Sequence, residues 1–335
     1  MRIEPTRLET TSSSIQEEEA RAFTHYPVEE VRTARRYLDQ ARASATRLKY
    51  DRDWQAFSAW CAVRQLHALP AAPETLAVYL ATEADRGLAP PTLTRKVAAI
   101  GFTHRRAGLD PPHKQPGGAL VADTLAGIRR ERLHAPTKKI AAEADIMFTV
   151  LLQLQGHRLV DVRDRAILSF GMASAMRRSE LVALDVADIQ VEPRGIRVTI
   201  KRSKTDQTGK GATIGVPAGK RLKPVETLNH WLDRAGITEG AVFRRLSTNG
   251  KKVLPSRLSD RAIARIIKAR FAAAGYDPAA FSAHSLRSGF LSSAAAAGAS
   301  IWKMREVSRH KSVQVLADYV QSADLLDDHA GSSFL

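Results

Sequence analysis

"GMASAMRRSELVAL", residues 171–184, sets three charged side chains, Arg177, Arg178 and Glu180, in the middle of an otherwise small and apolar stretch. With "RDRAILSF" (163–170) ahead of it, the pattern predicts one continuous buried helix over 163–184. Charges inside such a helix are costly unless they pair or meet a ligand. Their purpose depends on which other residues converge on the same point.

The chain has 335 residues, enough for two domains that each bury a core. Hydrophobic content of 44% fits a globular protein rather than a disordered one. There are 51 Lys and Arg against 35 Asp and Glu, a net charge of +16, and the pI is near 10.2. Such an excess favours a polyanionic partner, of which nucleic acid is the commonest. Residues 1–135 carry 20 basic and 16 acidic side chains, whereas residues 136–335 carry 31 and 19, so the positive charge is concentrated in the second part. Cys61 is the only cysteine, which excludes a disulfide framework and a thiolate metal cluster and suits a reducing cytoplasm. The first twenty residues lack the apolar core of a signal peptide, and the apolar run 166–176 is too short to span a bilayer, so no membrane role is expected.

Residues 1–27 are polar, with an acidic run at Glu17, Glu18 and Glu19, and read as a mobile tail. Helical patterns follow over 46–65, 73–87, 91–108 and 119–132, two of them opened by a proline and closed by a glycine. Residues 28–135 are therefore expected to form an all-helical domain. The aperiodic, proline-containing stretch 136–143 reads as a linker to a second domain over 144–335. In "GIRVTIK" (195–201), Ile196, Val198 and Ile200 alternate with polar residues, the period of a half-buried strand. The turn-rich "RSKTDQTGKG" (202–211) and then "ATIGVP" (212–217) complete a β-hairpin. The rest of the second domain is helical.

"FSAHSLRSGF" (281–290) places His284 and Arg287 three apart beside a helix start, a plausible phosphate-binding surface or an ordinary solvated helix. "REVSRHKSVQVLADYV" (305–320) adds His310 and, nine residues on, Tyr319, in a helix that Ser312 can cap. Taken alone, this pair of helices could equally be a helix-turn-helix that only reads DNA. Lys201, Lys204 and Lys210 surround the hairpin turn and can reach a phosphate or donate a proton.

The order of these pieces, "RRSEL" (177–181), hairpin lysine, "HSLR" (284–287), His310 and "DYV" (318–320), resembles the tyrosine recombinase (phage integrase) family. The resemblance covers most of the chain. It implies a multidomain fold: a helical core-binding bundle of SAM-like type, then a mainly helical catalytic domain with a small antiparallel sheet. It implies Arg177, Lys204, His284, Arg287, His310 and Tyr319 as the catalytic residues, with Glu180 holding a catalytic partner in place and Arg178 pointing to solvent or backbone. The activity implied is site-specific breakage and rejoining of double-stranded DNA through a 3′-phosphotyrosine, by a tetramer on paired sites, with any accessory proteins undefined. Neither metal nor other cofactor is implied, and the place of action would be the cytoplasm, at the nucleoid. A type IB topoisomerase uses a similar residue set as a monomer, and an idle DNA-binding protein is the alternative outside enzymes. The histidine of "HSLR" and the helical N-terminal domain favour the recombinase. The family usually has glycine before the late histidine; here it is Arg309.

Overall fold

The structure, a computed structural model, describes residues 25–40, 44–132, 139–201 and 211–323. They fall into two compact units divided between Pro136 and Thr137. Most of the tail expected over 1–27, together with Lys204 and Lys210, lies outside the described residues.

The first unit is helical: α1 (Val28–Gln40), α2 (Ser44–Val63), α3 (Pro73–Asp85), α4 (Pro90–Arg106) and α5 (Ala119–Glu131). Prolines open α3 and α4, where the missing N–H would have had no intrahelical partner and the fixed φ suits the first turn. Arg105 and Arg106 close α4 at the negative end of its dipole. Phe57 and Trp60 enter the core with Leu76, Tyr79, Leu80, Leu93 and Ile100, whereas Leu48 stays exposed near the start of α2. Along α1, Val28, Tyr37 and Leu38 are exposed. Two charged pairs tie the bundle: Arg95 donates to both Asp53 oxygens at 2.7 and 3.0 Å, and buried Lys96 meets Glu83 at 3.0 Å.

The second unit contains α6 (Ala144–Leu152), α7 (Leu159–Ala173), α8 (Arg178–Ala183), α9 (Pro224–Ala235), α10 (Asp260–Ala273), α11 (Ser285–Ala296), α12 (Ile301–Ser308) and α13 (Val313–Ala323). Strands β1 (Ile189–Glu192), β2 (Gly195–Ile200) and β3 (Ala212–Pro217) form an antiparallel sheet in that order, and β4 (Arg244–Leu246) pairs with β5 (Val253–Arg257). The fold class is the expected one, a helical bundle and then a mainly helical unit with a small antiparallel sheet, but β1 and the β4–β5 pair are strands where the rest of the second domain was expected to be helical. The alternation in β2 sends Ile196, Val198 and Ile200 into the core, and the pairing Ile200↔Ala212 makes β2 and β3 the two arms of the expected hairpin. Helix α7 is buried from Asp161 to Met172 on almost every side, so the core is built around it.

The continuous helix expected over 163–184 is broken. Helix α7 stops at Ala173, Ala175 takes a left-handed conformation at φ 47°, and α8 begins only at Arg178. No glycine or proline marks this bend; its cause lies elsewhere in the chain. The Ala175 carbonyl accepts a 2.6 Å hydrogen bond from Arg287, 112 residues away. Gly171 allows the packing, since a Cβ there would lie 2.9 Å from Leu286 and 3.2 Å from Leu181.

Residues 139–143, read from sequence as part of the linker, run along the second unit. The N–H of Ile140 bonds to Ala280, that of Ala142 to Ser285, and that of Ala144 to the Ser293 hydroxyl. The backbone of Ala142 lies so close to α11 that a Cβ on Gly289 would stand 2.0 Å from its carbonyl oxygen. Gly289→Ala is expected to destabilise the second unit by about 2 kcal/mol, the scale of overpacking in a rigid site. Urea unfolding of the full chain checks this, and an unchanged midpoint would mean the segment does not dock there.

Candidate active site

The bend at Ala175 makes Arg177 the residue that caps α8, so it stands at a helix start and not inside a helix. Glu180, in the first turn, is buried and turns back on it. Its Oε2 accepts from the Arg177 backbone N–H at 2.9 Å and its Oε1 from the Arg177 guanidinium at 2.8 Å. Arg309 donates to Glu180 Oε2 from the far side, also at 2.8 Å. Burial pushes the Glu180 carboxyl pKa up, but the Arg309 charge and the Arg177 hydrogen bonds outweigh it and hold the group below the usual range. Glu180 is therefore an anion clamped between two guanidinium groups.

His284 caps α11 and Arg287 lies in its first turn. Arg287 is 1% exposed, and it donates to the Ala175 carbonyl at 2.6 Å and to His310 Nδ1 at 3.2 Å. Burial first, then Arg177 and Arg309, lower its pKa to about 10, so it remains a cation at neutral pH. A guanidinium can only donate, so His310 Nδ1 must accept. The Ser308 hydroxyl, 2.9 Å away, meets the same nitrogen. The neutral His310 ring thus carries its proton on Nε2. Burial, then Arg287 and Arg177, push the His310 pKa down to about 4. The same causes in the same order lower that of His284, which is also neutral at pH 7.

Tyr319 is placed by α13. Leu316, fully buried on that helix, packs with Leu291, Ala295 and Met304, and Tyr319 lies half-buried against the same cluster. Burial raises the Tyr319 pKa, while Arg287 is close enough to oppose the shift. Arg177, His284, Arg287, His310 and Glu180 are thus brought together with Tyr319 beside them. Lys204 lies outside the described residues. Lys201, at the same hairpin, pairs with Asp188 at 2.6 Å, which raises the lysine pKa. Arg178 points to solvent, as expected, and pairs at the surface with Asp260 at the start of α10 at 3.2 Å, outside the cluster.

Three participants escape sequence reasoning: the Ala175 carbonyl, the Ser308 hydroxyl and the Arg309 guanidinium. Only Arg309 gave a signal, as an arginine where the resembling family has glycine.

The phage integrase family model matches residues 148–325, more than half of the chain. The chain belongs to the phage integrase family. An integrase/recombinase XerD homologue from Selenomonas ruminantium is 33% identical over 299 residues, 89% of this chain and 87% of the relative. The Cre recombinase of Escherichia phage P1 is 27% identical over 287 residues, 81% of this chain and 82% of Cre. Among solved structures, a lambda integrase dimer bound to a COC′ core site is similar at a TM-score of 0.55 and 16% identity, over 86% of this chain and 93% of that one. The Tn1549 transposon integrase with circular intermediate DNA gives 0.57 at 14% identity, over 95% and 96%. At these identities the structural likeness establishes the phage integrase fold. No helix among the described residues is long and apolar enough to cross a membrane.

The His310 environment in this integrase-family chain has a measurable consequence. The folded pKa near 4 lies below an unfolded value of about 6.5, so the neutral ring contributes its stability fully above the unfolded value. That contribution is lost as pH falls from about 6.5 towards 4. Nitrogen-15 NMR of the imidazoles at pH 6 should show His310 neutral and protonated on Nε2. A charged His310 at that pH would contradict the Arg287 hydrogen bond.

Proposed function

We propose that this phage integrase family member is a site-specific DNA recombinase in which Tyr319 is the nucleophile and Arg177, Arg287 and His310 bind the scissile phosphate. The observation that supports this most is the kind of groups collected around Glu180 and Arg287. Two guanidinium groups and an imidazole Nε2–H offer donors only, which suits non-bridging phosphate oxygens, and a half-buried phenol lies beside them.

In the proposed reaction the Tyr319 oxygen attacks phosphorus, a tyrosine–phosphate bond forms and the bond to the 5′ oxygen breaks. Tyr319 enters as the phenol, because burial raises its pKa. Neutral His284 accepts the proton as the bond forms. Arg177, Arg287 and the His310 Nε2–H stabilise the charge that grows on the non-bridging oxygens. Lys204 protonates the departing 5′ oxygen. The new bond keeps the energy of the phosphodiester, so a 5′-hydroxyl from a second strand can reverse the step and complete the exchange without ATP. Double-stranded DNA is the partner, and a tetramer on two paired sites is the working assembly. Such activity belongs at the nucleoid.

Tyr319→Phe is expected to bind its DNA site and form no covalent complex. Denaturing electrophoresis of protein mixed with labelled duplex checks this, and DNA still attached to the variant would overturn the assignment. Arg177→Ala should cleave roughly 10²–10³ times more slowly than wild type, as when one transition-state contact is removed. Arg178→Ala, which loses only the Asp260 pair, should cleave much faster than Arg177→Ala. Equal rates for the two variants would place the catalytic arginine wrongly.

A further inference from the structure

Arg309 adopts a conformation and a burial that arginines ordinarily avoid. It closes α12 in the left-handed region, at φ 57° and ψ 40°, where a side chain is disfavoured and glycine is not. Its side chain is 13% exposed, and its Nε and Nη1 are buried without an acceptor among the described residues. Both features weigh against folding, and a glycine would remove both. Strain and unmet donors kept together in this way point to a functional demand on the residue.

That demand is visible at Glu180. This carboxylate is 1% exposed at its side chain and has two cationic neighbours on separate elements. The Oε2 atom is shared between the Arg177 backbone N–H and Arg309 Nη2, while Oε1 holds the Arg177 guanidinium. With Arg309 absent, Arg177 would be the one guanidinium of the two left hydrogen-bonded to a buried carboxylate. The existing 2.8 Å pair would then hold the Arg177 charge more tightly. With Arg309 present, the charge is divided, and Oε2 is fixed from a second direction.

We infer that Arg309 is a positioning residue of this centre: by sharing the Glu180 carboxylate it fixes Arg177 and leaves the Arg177 charge available to the phosphate. The inference rests on the recombinase reading above. The influence of Arg309 is not confined to Glu180, since its charge also contributes to the lowered pKa values of Arg287 and His310. It acts within the same cluster without being the group that meets the reacting atoms.

A double-mutant cycle on the full chain tests this. The substrate is a duplex captured covalently by the wild-type chain from a random-sequence pool, and the readout is the single-turnover rate of covalent complex formation. Arg309→Gly should lower the rate about tenfold, the scale of losing an outer partner that orients an active group. In a Glu180→Gln background, which has already lost the carboxylate, the same substitution should change the rate little, because contacting residues couple non-additively. Arg309→Lys, which restores a cation facing Glu180, should recover part of the loss. Three results would overturn the inference: wild-type rates for Arg309→Gly, no recovery with lysine, or an equal loss with and without Glu180. The last would mean that Arg309 acts independently of Glu180. If the wild-type chain captures no duplex, or Tyr319→Phe captures one, the recombinase reading itself fails and takes the inference with it.

Discussion

A single buried guanidinium, that of Arg287, joins three separate pieces of the second unit. It rises from the first turn of α11, bonds to the carbonyl at the bend between α7 and α8, and reaches the imidazole after α12. Without the first bond the chain has no local reason to bend at Ala175, and without the bend Arg177 would sit within a helix. The second bond sets the tautomer of His310. One side chain therefore fixes the entry of α8, the orientation of Arg177 and the face that His310 presents. Truncating it would leave a buried carbonyl and a buried ring nitrogen with one partner fewer, the most costly kind of loss in a protein interior.

The cluster holds more positive charge than it neutralises. Arg177 and Arg309 pair with the one carboxylate, Arg287 lies close to them, and burial with mutual repulsion pushes the pKa values of Arg287, Arg309 and His310 down. Such a set is unfavourable when empty and favourable when an anion fills it. Two non-glycine residues in left-handed conformations, Ala175 and Arg309, border the cluster. Each bends the backbone where a functional group must be aimed, which is where strain tends to be kept. The rigid surroundings that sustain it come from the close fit of α7, α11 and the segment over 139–143.

Much of this was legible in the sequence by itself. The order of "RRSEL", "HSLR", His310 and Tyr319 carried the family resemblance and with it the candidate residues, and "HSLR" places His284 and Arg287 by local geometry at a helix start. The two-residue period of 195–200 determined the strand, and the proline and glycine punctuation of 73–108 determined two helices of the first unit. These features depend on neighbours within a few positions, so the order of residues suffices to specify them. Only the tertiary structure decided the break at Ala175, the pairing of Arg178 with Asp260 and the turn of Arg309 onto Glu180. A stretch such as "ASAM" contains no breaker, and its helical pattern continues on both sides. It bends because a hydrogen bond from a distant helix outweighs local propensity, and that bond exists only once α7 and α11 have packed.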